Sequence, residues 1–159
     1  MVELKEVWSR ITVFKRIKGA MCTNAVVVYY SRTGNTKKAS EKLADALKAD
    51  LVGIIELENY RGIMGFIRGA VQAKKEMCTA IADMSIDFDA YDLVVVCTPV
   101  WARKMSSPVR SFLVKYGSSI KAVAYLITRA DRNKQFLEIC NDMDAFVSKT
   151  HQAAISLKG

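Results

Sequence analysis

Continuous apolar runs of strand length alternate along this chain with segments whose apolar residues recur every three or four positions. Residues 26–30 are unbroken Val and Tyr, the mark of a parallel strand buried on both faces. Residues 36–48 follow with Ala39, Leu43, Ala46 and Leu47 at helical spacing and Lys and Glu opposite. A second strand is predicted over 51–57. A second helix is predicted from Ile63, Phe66, Ile67, Ala70 and Val71, whose i, i+3, i+4, i+7, i+8 spacing makes one apolar face for the core. Gly62, Gly65 and Gly69 weaken that helix locally.

The third strand, 93–98, comes just after Asp89-Ala90-Tyr91-Asp92. Ser107-Pro108 opens a third helix, with Pro at its first position and Val109, Phe112 and Leu113 directed inward. A fourth strand (122–128), a fourth helix (135–149) and a short last strand (152–157) complete the series. Strand and helix in alternation define an α/β class: an open, doubly wound parallel sheet with helices on both faces and right-handed crossovers. Such sheets bind ligands outside the carboxyl ends of their strands. The loops after Tyr30, Cys97 and Ile127 are therefore the ones to read for chemistry.

Two domain segments are expected. Residues 1–20 place Leu4, Val7, Trp8, Ile11, Phe14 and Ile17 on one face of an amphipathic helix, and residues 21–159 form the α/β domain. With 159 residues, 51% of them hydrophobic, the chain is long enough for one substantial core without disulfides or a structural metal. The longest apolar runs fall far short of the ~20 residues of a transmembrane helix. No basic-then-apolar leader pattern appears at the start, so a cytoplasmic location is expected. Cys22, Cys78, Cys97 and Cys140 lack CxxC spacing and His151 is the only histidine, which argues against zinc or an iron–sulfur cluster. Isolated near the C-terminus, His151 reads as a surface or strand-edge residue. The net charge of +8 favours an acidic partner. Basic residues are spread through every segment without interleaved aromatics, so nucleic-acid binding is not expected.

The chemistry begins where the first strand stops. Ser31, Thr33 and Thr36 offer hydroxyls, Gly34 permits a tight turn, and the first N–H groups of the following helix lack helical acceptors, which together make a seat for a phosphate monoester. Neither a Gly-Lys-Ser/Thr loop nor a GxGxxG fingerprint is present. After the third strand, Thr98-Pro99-Val100-Trp101-Ala102 puts an indole at a strand's carboxyl end, poorly placed for a core and well placed to stack on a planar ring. Phosphate seat and aromatic wall on adjacent strand ends predict a flat heteroaromatic ligand with a phosphorylated tail. Cys97 and Arg103 also have the C-x5-R spacing of tyrosine phosphatases. Pro99 supplies no N–H to such a loop, no glycine relaxes it, and Val100 and Trp101 would crowd it. A receiver domain is disfavoured too, because the first strand ends in Tyr29-Tyr30-Ser31 rather than paired acids.

SRTGNT after the first strand and YDLVVVCTPVWARKMSSPVRSFL around the third resemble flavodoxin and flavodoxin-like proteins of the short-chain type, over residues 25–149. The resemblance implies a five-stranded sheet of order 2-1-3-4-5 and non-covalent FMN. Ser31, Arg32, Thr33, Gly34, Asn35 and Thr36 would surround its phosphate, and Thr98, Pro99, Val100, Trp101 and Ala102 would flank the isoalloxazine. The loop carrying Arg129 and Ala130 would approach the ring's polar edge.

Three departures from the family pattern carry expectations. The loop from Thr128 to Asn133 lacks the glycines or aromatic that often meet the ring, so one flavin face is expected to be open. The family's terminal helix has no counterpart, and residues 1–20 are expected to cover the sheet face it would occupy. Arg103, Lys104, Arg129 and Arg132 would stand near the ring where flavodoxins tend to be acidic. Cations there favour the reduced, anionic ring by Coulomb attraction, and ~1.4 kcal/mol is about 60 mV for one electron. A less negative potential for the second electron than in an acidic flavodoxin is therefore expected.

The implied function is a flavodoxin-like redox protein that transfers electrons to a partner with an acidic docking face. An FMN-dependent NAD(P)H:quinone-type oxidoreductase, with a small quinone-like acceptor, is the alternative. A partner-binding module that has lost FMN belongs to another class. No residue offers itself as an acid or base, so the chemistry would be the flavin's.

Overall fold

The computed structural model describes residues 24–159 and Arg16. The amphipathic helix expected over 1–20, and with it the proposed cover for the sheet, lies outside the described residues.

Six strands form one sheet. β1 (Ala25–Tyr29), β2 (Asp50–Gly53), β3 (Leu93–Trp101), β5 (Val123–Arg129) and β6 (Ala154–Lys158) run parallel in the order β2-β1-β3-β5-β6. The two-residue β4 (Lys104–Met105) pairs antiparallel with the end of β3 and is absent from the five-strand expectation. Helices α1 (Asn35–Leu47), α2 (Gly62–Lys74), α3 (Ser107–Tyr116) and α4 (Glu138–Val147) fill the crossovers. The register sets Val27 beside Leu51 on one side and Val95 on the other, so β1 and β3 are central.

Because side chains alternate along a strand, the sheet divides its apolar residues between two cores. Val26, Val28, Val94, Val96, Tyr125 and Ile127 face a core built with α3, α4 and the inner side of α2. Val27, Val95, Cys97, Leu126 and Leu157 face the other, where α1 contributes Ala39, Leu43 and Leu47. Val109, Phe112 and Leu113 of α3 are buried as their spacing predicts.

Three elements differ from expectation. β2 ends at Gly53 rather than at 57. Beyond it the chain pairs with a different segment: Leu57 donates its N–H to the Ala80 carbonyl and Ala82 donates to the Ile55 carbonyl, at 2.9 Å each. β3 runs on through Pro99 and Val100 to Trp101, which the sequence places in a loop. Helix α2 forms where predicted but turns its glycines inward. Gly65, Gly69 and Ala73 are its buried positions, while Ile63 is 79% and Ile67 50% exposed. Close approach is the reason. A Cβ on Gly69 would stand 2.8 Å from Cζ3 of Trp101, and one on Gly65 2.1 Å from the Tyr60 carbonyl carbon.

Candidate functional site

The loop after β1 is shaped by two of its own residues. Gly34 adopts a left-handed φ of 93°, which a residue with a side chain rarely takes, and its N–H donates to Ser31 Oγ at 3.1 Å. α1 then starts with neither a side-chain cap nor an acidic residue in its first turn. Its leading N–H groups therefore stay available to an anion, with the positive end of the helix dipole behind them.

Across the strand ends, β3 and β4 make a hairpin whose two turn residues, Ala102 and Arg103, both have positive φ, 46° and 66°. Asn or Gly is usual in such a turn, so the tip is held in a strained conformation by the pairing of its stem. Below the turn, Thr98 Oγ1 accepts from the Ser106 N–H at 3.1 Å and locks the start of α3 against β3. At the end of β5, Thr128 Oγ1 and Thr36 Oγ1 share a hydrogen bond of 2.7 Å, which ties β5 to the first turn of α1.

Between these three strand ends lies a cleft open to solvent. Arg32, Thr33, Asn35 and Thr36 line one side, Pro99, Val100 and Trp101 another, and Arg129 with Ala130 a third. Of the thirteen residues assigned from sequence, Ser31, Gly34, Thr98 and Ala102 are not in the lining. The first two shape the loop after β1, Thr98 is buried at the hairpin base, and Ala102 is exposed at the hairpin tip. Phe66, Thr128 and Gly159 line the cleft without having been assigned to it. Phe66 belongs to the α2 stripe that periodicity directs into the core, so only the inverted orientation of that helix reveals its role. Thr128 reads as the end of a strand, and no sequence signal marks Gly159.

Trp101 departs most from expectation. It borders the cleft but is only 8% exposed, seated beneath α2 and edge-on to Tyr30 and Tyr60 at centroid distances of 5.5 and 5.2 Å. A residue judged unsuited to a core is thus part of one, because glycines in α2 leave room for the indole. What it gives the cleft is a firm apolar floor rather than a free stacking plane. Tyr30 beneath it donates its hydroxyl to Glu56, and burial pushes both the phenol and the carboxyl above their ordinary values.

The electrostatics are cationic. Arg129 is 6% exposed, with Nε donating to Ser156 Oγ at 3.0 Å and a terminal nitrogen donating to the Asp131 carbonyl. It forms no ion pair among the described residues, and its charge adds to the Asn133 and Lys134 N–H groups in holding the Asp131 carboxyl below its ordinary value. A buried guanidinium thus lines the cleft. Arg32 lies over the Phe66 ring, 5.2 Å from its centroid. Lys104, expected near a bound ring, is instead tied to Glu76 at 2.6 Å and Asp142 at 3.3 Å.

Rival chemistries fare poorly in this geometry. Cys97 is fully buried on the α1 side, and loss of solvation pushes its thiol up to about 12, whereas a phosphatase nucleophile must ionise readily. Arg103 stands at the exposed hairpin tip rather than over that sulfur. Among the described residues no group of three or more His, Cys, Asp and Glu could hold a metal ion. His151 pairs with Asp144 at 2.9 Å beside the start of β6, away from the cleft. No helix of the described residues is long and apolar enough to cross a membrane.

An open parallel sheet with a cleft at the carboxyl ends of its strands defines a doubly wound α/β protein. A family model described as flavodoxin matches residues 24–142, and the chain belongs to the flavodoxin family. Solved structures share the fold. A flavoprotein in complex with FMN from Lactobacillus acidophilus NCFM is 21% identical with a TM-score of 0.70, covering 82% of this chain and 91% of that one. The apo form of the flavoprotein from that organism is 22% identical with a TM-score of 0.63, covering 87% and 92%. A flavodoxin, WrbA-like protein from Agrobacterium tumefaciens is 21% identical with a TM-score of 0.53, covering 82% and 74%. No curated protein sequence matches the chain.

Proposed function

We propose that this protein binds FMN non-covalently in the cleft and serves as a redox protein that passes electrons to a partner. The observation that carries this reading is Arg129, a buried cation in no ion pair among the described residues, sharing one cleft with the uncapped start of α1 and an apolar wall. An anion joined to a flat apolar body satisfies all three features at once. Thr33, Asn35, Thr36 and the α1 N–H groups would hold the phosphate, Pro99 and Val100 would bound the ring, and Arg32 and Arg129 would hold negative charge.

Bound FMN supplies one- and two-electron chemistry. Val100 and the Trp101 floor would exclude water from one ring face, and Arg32 and Arg129 would stabilise the charge that accompanies reduction. A less negative potential for the second electron than in a flavodoxin with an acidic cleft follows from that charge.

Carrier and NAD(P)H:quinone oxidoreductase share this site. The carrier reading is preferred because, among the described residues, no His, Asp or Glu side chain lines the cleft as a proton donor for a small substrate. A module without flavin is disfavoured by the intact phosphate loop.

Titration of the apoprotein with FMN tests the proposal, with saturable quenching of flavin fluorescence and a yellow complex expected. Arg129→Met should weaken binding about tenfold to a hundredfold, the range for a hydrogen bond to a charged group. A protein that leaves FMN fluorescence unchanged overturns the reading. Rapid NADH or NADPH oxidation with a soluble quinone would replace the carrier by the oxidoreductase.

A further inference from the structure

Helix α2 presents an apolar stripe to solvent. Ile63, Ile67 and Val71 follow one another at i, i+4 and i+8, with Met64 beside them, and they are 79, 50, 46 and 77% exposed. Soluble domains seldom leave a helix this way round, with its large side chains outside and its glycines inside. Between Arg61 and Lys75 the sequence has four basic residues and no acidic one. Arg68 is paired with Glu58 at 2.5 Å, while Arg61, Lys74 and Lys75 are exposed and form no ion pair among the described residues.

We propose that this face of α2 is a docking surface for an anionic lipid bilayer, on which the protein lies peripherally. An aliphatic stripe flanked by cations matches the boundary between acyl chains and phosphate headgroups, where apolar side chains insert and Lys and Arg meet the anions. A second copy of this chain fits less well. Each copy carries a net charge of +8 and would bring the same unneutralised cations to the contact. A protein partner fits less well too, because the centre of the stripe has no aromatic anchor and no hydrogen-bonding group. Phe66, on the flank of the same helix, lines the cleft, so a bilayer against α2 would lie beside the cleft mouth. The surface itself is independent of what the cleft binds.

The test is sedimentation of the full chain with sucrose-loaded vesicles, either phosphatidylcholine alone or phosphatidylcholine mixed equally with phosphatidylglycerol. Binding to the anionic vesicles at low salt, absent with the neutral ones and released as salt rises, is expected. Ile63→Asp combined with Ile67→Asp should abolish it. Lys74→Ala combined with Lys75→Ala should weaken it roughly thirtyfold. Thermal melts of the variants should match the parent, since all four side chains are exposed. Wild-type protein that stays in the supernatant overturns the proposal, and so does binding that survives the Asp substitutions. A wild-type dimer that Ile67→Asp makes monomeric, without vesicle binding, also overturns it and assigns the face to a protein contact. FMN fluorescence read on the same samples keeps the two proposals apart. Colourless protein that sediments removes only the flavin reading, and yellow protein that does not sediment removes only the lipid surface.

Discussion

Helices α2 and α3 lie on the same side of the sheet, and both carry an apolar stripe at helical spacing, yet they use it in opposite ways. α3 puts Val109, Phe112 and Leu113 into the core, all at 1% exposure or less. α2 puts Gly65, Gly69 and Ala73 there and leaves Ile63, Ile67 and Val71 in solvent. The difference lies in what each helix meets. Phe88 and Tyr116 pack on Phe112 and need large partners, whereas the Trp101 indole and the Tyr60 backbone already fill the space under α2. A helix placed over a bulky floor must offer small residues, and its large ones are left for another surface.

The largest test of that contrast is Phe112→Ala, which removes a fully buried ring and should cost about 3–5 kcal/mol in denaturant unfolding. A cost below ~1 kcal/mol would show that α3 does not anchor this core. Next is Gly65→Ala. In an ordinary exposed helix that change gains helix propensity, but here the new Cβ meets the Tyr60 main chain, so a loss of about 1–3 kcal/mol is expected. A stabilised Gly65→Ala variant would mean that α2 does not sit close to Tyr60.

Polar replacement of the outer stripe, Ile63→Ser or Ile67→Ser, should change stability by no more than about 0.5 kcal/mol. The pair therefore inverts the usual expectation, with the small glycine intolerant and the large isoleucines tolerant.

The subtlest effect is in acid. Glu76, just past α2, meets Lys104 at 2.6 Å and approaches Arg110 of α3 at 3.9 Å, and the hydrogen bond and charge of Lys104 hold its carboxyl below the ordinary value. A carboxyl with a depressed folded-state value stabilises the fold above its unfolded value and loses that contribution as pH falls through the folded one. Glu76→Gln should therefore flatten the stability curve below about pH 4.5, the ordinary glutamate value, and change little at neutral pH. A parallel acid limb in the two proteins would show that this link between α2, β4 and α3 is not felt.

The shape of the loop after β1 was legible because its interactions are local. Ser31 and Gly34 act on each other three residues apart, and the helix start that they expose belongs to the same segment. Pro99 and Val100 were legible as cleft residues from their place just past the predicted third strand, although β3 itself runs on through them. Phe66 was not, because a 3.6-residue period identifies a helix without saying which stripe faces in. Trp101 was misjudged for a related reason. Whether an indole at a strand end stands free or is roofed over depends on a helix about thirty positions earlier, and the two glycines that permit the roof look in sequence like breaks in that helix.

Continuous β-branched runs, helical periods and a hydroxyl-and-glycine turn are properties of neighbouring residues. The chain alone therefore determined an α/β alternation, the strand ends that border the cleft and the tight turn that leads into α1. Close packing depends on which surfaces meet. Only the tertiary structure decided that α2 would turn Gly69 to Trp101 and Gly65 to Tyr60, that Phe66 would reach the cleft, and that Arg129 would be buried there.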